Sequence, residues 1–205
     1  MSSSRSSTSV STEERRGAIL RAAYRVMARE GVHRTPLDRV AAEAGVSKGL
    51  LLYYFDSKDK LALAAMEWVL SATAIRVREA LADTANPVDA ISAVIDAVWI
   101  APEANRDFFR FYLDGVEHQT RSPGFDDLGK TATLIINGLY QEVIETGMNA
   151  GIFDVVDPVS AAIDMRALIE GSFLQWLQTD DWQTNHDAFR QRCRAAVLTQ
   201  VRSSL

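Results

Sequence analysis

With 205 residues, 47% hydrophobic and 24% charged, the chain is long enough to bury one large helical core and a small second one, and its composition is that of an ordinary globular protein. No apolar run reaches a membrane span, the Ser-rich stretch 1–12 lacks the apolar centre of a signal peptide, and the single cysteine, Cys193, excludes an internal disulfide framework, so a cytoplasmic location without membrane contact is expected. The net charge of −5 conceals an asymmetry: residues 1–60 hold 11 Lys and Arg against 7 Asp and Glu, a surplus of 4, and the remainder holds 11 against 20, a deficit of 9. Either a basic head sits on an acidic body that phosphates repel, or any cut shows some imbalance.

In chain order, residues 1–10 contain six serines and no apolar periodicity, and read as a disordered tail. Ser11 and Glu14 form a capping box for a first helix with Ile19, Ala23, Val26 and Met27 inward, ended by Gly31. Thr35 is placed to cap a second helix, with Pro36 at its first position, Asp38 completing the box and Leu37, Val40, Ala41 and Ala44 on one face. Gly45 permits a left-handed exit and Ser47 caps a third helix, a spacing that gives helix-turn-helix geometry. Leu51, Tyr54 and Phe55 of that third helix point inward.

Ser57 caps a long fourth helix from Lys58 to about Leu81. Asn86-Pro87 opens a fifth to about Ile100, and Pro102 breaks it. A sixth runs to about Gln119, a loop follows at Arg121-Ser122-Pro123-Gly124, and a seventh covers about Asp126 to Asn149. Asp157 caps an eighth, Val159 to about Gln178, and Asn185 a ninth, His186 to Arg202. No alternating strand pattern appears, so the class is all-α with about nine helices.

The stretch Leu37 to Gly45 (LDRVAAEAG), the run Val46-Ser47-Lys48-Gly49, and Tyr53-Tyr54-Phe55 ahead of Ser57-Lys58 resemble the DNA-binding signature of the TetR family of bacterial transcription regulators. The resemblance covers the first quarter of the chain. It implies a helix-turn-helix domain over 11–57, and an effector-binding and dimerisation domain over 58–205. The expected partners are a double-stranded DNA operator, a second copy of the chain and a small-molecule effector. Lys48, Tyr53, Lys58 and, near the backbone, Thr35 match positions that touch DNA in the family. Lys48 and Gly49 lie where free N–H groups and the helix dipole favour a phosphate. A cation at Lys58, in the first turn of its helix, is disfavoured by about 0.3–1 kcal/mol, which a phosphate would offset. Leu50 and Leu52 depart from the family's usual hydroxyl and aromatic residues. They either meet thymine methyls or pack inside.

In the body, Trp68, Trp99, Phe111, Tyr140, Glu170 and Phe173 are the candidate effector-pocket residues, suited to an apolar or cationic ligand if they line the cavity that the resemblance implies. Glu170 either neutralises such a cation or pairs with Arg166. Two stripes, Met165, Ile169 and Trp176 on the eighth helix and Phe189, Cys193, Val197 and Val201 on the ninth, fit a bundle with a partner subunit or close the chain's own core. Asp114 and His118 share a face as a pocket pair or as solvated surface. His33, His118 and His186 stand apart in sequence, so neither a metal site, a cofactor site nor a catalytic constellation is expected. The function that follows is a ligand-released dimeric repressor. The alternative is a small-molecule carrier or enzyme whose DNA-binding head is vestigial.

Overall fold

The structure is a computed structural model describing residues 4–121, 130 and 133–202. Among these it is helical throughout, with α1 (Ser4–Glu30), α2 (Leu37–Ala44), α3 (Lys48–Phe55), α4 (Lys58–Ala82), α5 (Pro87–Val98) and α6 (Pro102–Arg121). A π-helical turn (Thr133–Asn137) then runs into α7 (Gly138–Asn149), followed by α8 (Pro158–Leu177) and α9 (His186–Arg202). The expected loop at Ser122-Pro123-Gly124 and the helix start at Asp126 lie outside the described residues. Contacts divide the chain into two compact units, Met1–Val69 with Arg110–Leu128 and Leu70–Phe109 with Gly129–Leu205, and α4 and α6 contribute to both.

Helix α1 is helical from Ser4, so from Ser4 on the stretch expected to be a tail has helical backbone, and Ser11 lies inside the helix rather than at its cap. The physical reason is cooperativity: once Ile19, Ala23, Val26 and Met27, all 0% exposed, fix the helix, each residue added upstream costs no new nucleus. In the first unit α1 packs on α2 and α2 on α3, and Val40 and Ala41 of α2, Leu51 and Phe55 of α3 and Leu61 and Ala65 of α4 are buried as well.

In the second unit α5, α7, α8 and α9 form a closed cycle of neighbours, α5 on α7, α7 on α8, α8 on α9 and α9 on α5. Local caps set the starts of two of them. Asn86 Oδ1 accepts from the N–H groups of Val88 and Asp89, and the Asp157 carboxylate from those of Val159 and Ser160. Asn185, the expected cap of α9, uses its amide differently and donates to Thr179 Oγ1 at 3.0 Å and Asp181 Oδ1 at 2.7 Å.

The exit of α7 is fastened from inside. The Gly147 carbonyl accepts from Ile152 N at 3.0 Å and Phe153 N at 3.1 Å, and Asp154 N donates to the Val201 carbonyl at the end of α9. The Phe153 ring then lies on Gly147 so closely that a Cβ there would sit 2.0 Å from its Cδ2 atom. Gly147→Ala should therefore destabilise the fold by about 1–3 kcal/mol through overpacking, despite Ala's better helix propensity. Urea unfolding of the variant against the parent measures this.

Candidate nucleic-acid interface and aromatic core

Recognition-helix geometry begins at the α2–α3 turn. Gly45 takes φ +68°, and the N–H groups of Gly45 and Val46 return to the carbonyls of Ala42 and Ala41. Ser47 Oγ then accepts from Leu50 N at 3.2 Å and opens α3. Leu51 and Phe55 are buried, which fixes the helix on its scaffold. Its outer face carries Lys48, Gly49 and Tyr53, all exposed, with Tyr53 at 81%. A Cβ on Gly49 would meet nothing within 4 Å, so nothing in this chain's own packing requires glycine there. Lys48 Nζ is held 2.9 Å from Asp38 Oδ2 in an exposed ion pair, and Leu50 and Leu52 are half-buried.

Two of the expected DNA contacts also have partners inside the head. Thr35 is 1% exposed and donates its hydroxyl to the Gly31 carbonyl at 2.7 Å, satisfying an orphan acceptor at the end of α1, while α2 starts at Leu37 with no side-chain cap. Lys58 Nζ donates to the His33 carbonyl at 2.9 Å, a backbone acceptor that offsets its position at the start of α4. Asp114 and His118 are neither a pocket pair nor solvated surface. Asp114 Oδ2 accepts from Val32 N at 2.9 Å, and buried His118 faces His33 Nε2 through Nδ1 at 3.2 Å and Asp59 Oδ1 through Nε2 at 3.4 Å. Sequence reading missed this cluster. Its one local trace is a polar pair four residues apart on an otherwise amphipathic helix.

The expected pocket residues separate. Trp68 and Phe111 belong to the first unit, where both meet Tyr24, at ring-centroid distances of 6.4 and 5.5 Å. Trp99, Tyr140, Glu170 and Phe173 belong to the second. There the Phe173 ring lies between Trp99, at 3.8 Å and 11°, and Phe109, at 4.2 Å and 28°, with Trp176 edge-on to both Phe173 and Trp99. Glu170 pairs with Arg166, Nε to Oε1 2.6 Å, rather than standing alone for a cation. Burial pushes the Tyr140 hydroxyl and the Cys193 thiol up from their ordinary values, so both stay neutral. Among the described residues no group of three His, Cys, Asp or Glu side chains could hold a metal ion.

The seven residues expected at a dimer interface, Met165, Ile169, Trp176, Phe189, Cys193, Val197 and Val201, are at most 9% exposed within one chain. They close the chain's own core and leave no surface for a partner. Helix α8 is apolar on two faces, and periodicity selected the inner one. Its outer face carries Val159, Ile163 and Leu174, 49%, 51% and 43% exposed, and the neighbouring α9 has Ala188, Arg192, Ala195 and Thr199 exposed.

Two family models match this chain: bacterial regulatory proteins of the tetR family over residues 19–65, and the C-terminal domain of BetI-type transcriptional repressors over residues 87–202. The chain belongs to the TetR family. Curated relatives of this TetR-family chain include the transcriptional activator FasR of Mycolicibacterium smegmatis, 32% identical over 102 residues (50% of this chain, 47% of that one). The regulator BetI of Brucella canis is 27% identical over 130 residues (63% and 64%). The matched stretch thus spans about half to two thirds of these relatives. A putative transcriptional regulator from Saccharomonospora viridis, solved in complex with choline, superposes with a TM-score of 0.78 at 26% identity, covering 90% of this chain and 96% of that one. A putative TetR-family regulator from Rhodococcus sp. shares the fold, with a TM-score of 0.78 at 23% identity over 92% and 99%.

One titration is built into the second unit. His186 Nε2 lies 2.9 Å from Asn105 Oδ1, and Asn105 Nδ2 donates to the Val98 carbonyl, so Nε2 carries the proton of a neutral ring. Burial, then Arg190, hold the His186 pKa below the usual 6.5, against the opposing pull of Asp187 and Glu103. The folded state therefore binds a proton less readily than the unfolded chain. His186's contribution to stability is full above 6.5 and declines as pH falls through the folded-state value. Melting temperatures across this range should fall for the parent and fall less for His186→Gln.

Proposed function

We propose that this chain is a homodimeric, effector-responsive repressor of transcription that reads a pseudo-palindromic operator with α3. The observation that carries the reading is the exposed start and outer face of α3, with Lys48, Gly49 and Tyr53 free of the head's packing while Leu51 and Phe55 anchor the helix. A phosphate meeting the N-terminus of α3 gains backbone N–H donors and the dipole, and competes with Asp38 for Lys48. Tyr53 offers its hydroxyl to a neighbouring phosphate. The half-buried Leu50 and Leu52 have only apolar surface to offer thymine methyls. Thr35 and Lys58 act one step back, by holding the corner that carries α2 and α3. The chain acts in the cytoplasm, where its operator is, and catalyses no reaction.

A single copy reads one half-site, and a pair places two recognition helices about 34–36 Å apart, one helical turn of DNA. The outer face of α8 and α9, with exposed Val159, Ile163 and Leu174 beside small residues, supports the pairing. The effector acts on the second unit. Its aromatic side chains, the BetI-type match and the choline-bound relative make a quaternary ammonium compound the first class to test. A ligand empties the operator only by preferring the state in which the two α3 helices are wrongly spaced, by about 5.5 kcal/mol for a near-complete switch.

Lys48→Ala should weaken binding to every DNA sequence and lower the slope of log affinity against log salt by about 0.9. An unchanged slope removes Lys48 from the phosphate contacts. Ile163→Glu places a charge on the proposed pairing face without touching either core. Sedimentation should show it as a monomer, with lost preference for a two-half-site duplex, while its helical content stays that of the parent.

A further inference from the structure

Side chains that tell one base from another by hydrogen bonding are Arg or Lys on guanine, Asn or Gln on adenine, and an acid on cytosine. Helix α3, KGLLLYYF, contains no Arg, Asn, Gln, Asp, Glu, His, Ser or Thr. Its one ammonium, on Lys48, is held 2.9 Å from Asp38 Oδ2, and its exposed hydroxyl is that of Tyr53. Half-buried Tyr54 has its ring against those of Tyr53 and Phe55. In the DNA-binding reading above, Lys48 and Tyr53 both go to phosphates, which fix register and carry no sequence information. What the helix has left for base edges is apolar.

Leu50 and Leu52 hold a defined place on that helix. Buried Leu51 and Phe55 mark its inner edge, and exposed Gly49 and Tyr53 its outer edge. At about 100° per residue Leu50 falls on one flank between these edges and Leu52 on the other, and both are half-buried. The outer edge has no side chain at Gly49, which lets the floor of a groove approach the helix backbone with a leucine on either side. The basic surplus of residues 1–60, 11 against 7, favours a polyanion as the occupant of this face over an apolar protein surface. In the major groove the apolar group that a base offers is the C5 methyl of thymine, and methylated cytosine carries the same group on the same ring atom. The two bases otherwise differ, since thymine accepts at O4 where cytosine donates from its amino group.

We propose that Leu50 and Leu52 read the C5 methyl groups of pyrimidines, so that this chain accepts methylated cytosine in place of thymine at the operator positions they face. Such readout presupposes that α3 binds DNA, as proposed above, and adds what it recognises there. A hydrogen-bonding reader separates thymine from methylated cytosine by the exchange of an acceptor for a donor, and a leucine side chain has no group that responds to that exchange. Methylation of a cytosine at such a position then raises the affinity of the chain for its operator.

The test takes the full chain and a duplex that it enriches from random sequence, and replaces each thymine in turn by deoxyuridine, which removes only the methyl group. At the positions facing Leu50 and Leu52, affinity at fixed salt should fall about fourfold per methyl removed. A C·G pair at the same position should bind about as weakly as the deoxyuridine pair, and methylating its cytosine should restore the loss. Leu50→Ala or Leu52→Ala should bring the ratio of thymine to deoxyuridine affinity at the position it faces to about one, which separates contact from changes in DNA shape. Deoxyuridine duplexes that bind as tightly as thymine duplexes at every position would overturn the methyl readout, as would a ratio that survives in both leucine variants. A loss at deoxyuridine without recovery at methylated cytosine would overturn the interchange of the two bases. The comparison on the parent chain stands by itself if a leucine variant fails to fold. A folded chain that enriches and binds no duplex would overturn the DNA-binding reading, and the methyl readout with it, whereas equal binding of thymine and deoxyuridine duplexes overturns the methyl readout alone.

Discussion

The α1–α2 corner, residues 31–35, must leave one helix and enter another while its backbone groups stay satisfied, and the position of α2 and α3 depends on how this is done. The Gly31 carbonyl is met by the Thr35 hydroxyl, the Val32 N–H by the Asp114 carboxylate and the His33 carbonyl by the Lys58 ammonium. Buried backbone groups without partners cost about 1–3 kcal/mol each, comparable to a large part of a small domain's stability. Three side chains, Thr35 of the corner itself, Lys58 of α4 and Asp114 of α6, therefore hold the corner with a definiteness that apolar packing, which tolerates sliding, does not supply. Gly31 itself has φ +86°, a conformation strained for any other residue, and a Cβ there would stand 3.1 Å from Asp114 Oδ2, so the carboxylate would have to give way by a few tenths of an ångström.

The same economy of roles runs through the recognition helix. Its inner residues, Leu51 and Phe55, are held by the core, and its outer residues, Lys48, Gly49 and Tyr53, have no part in that core. The second unit separates its faces in a similar way. On α8, Met165, Ile169, Phe173 and Trp176 complete the single-chain bundle, while Val159, Ile163 and Leu174 are left on the outside. The proposed pairing of two copies would cover that outer apolar face and supply the second half-site reader.

Much of the architecture was legible because its signals are local. Asn86, Asp157, Ser47 and Ser57 cap the helices that follow them, through hydrogen bonds two or three residues long, and Gly45 marks its turn by its own backbone. The start of α1 was not legible, since helix propagation into a serine-rich stretch depends on a core that lies downstream. Nor were the roles of Thr35 and Lys58: both matched DNA-contacting positions, but their partners are backbone carbonyls, for Lys58 one 25 residues away. The His33–His118 contact spans 85 residues, and no spacing rule reaches that far. For α8 the failure was of another kind. A helix apolar on two faces offers two stripes of equal period, and only the fold decides which one faces inward.

The most direct measurement is selection of binding sites for the purified chain from random DNA duplexes at fixed, moderate salt, with and without choline. Enrichment of an inverted repeat whose half-sites are centred about 10 base pairs apart, one helical turn, is the expected result. Folded protein that enriches no sequence under either condition would contradict a dimeric operator reader, and the helical body would then have to be tested as a small-molecule carrier.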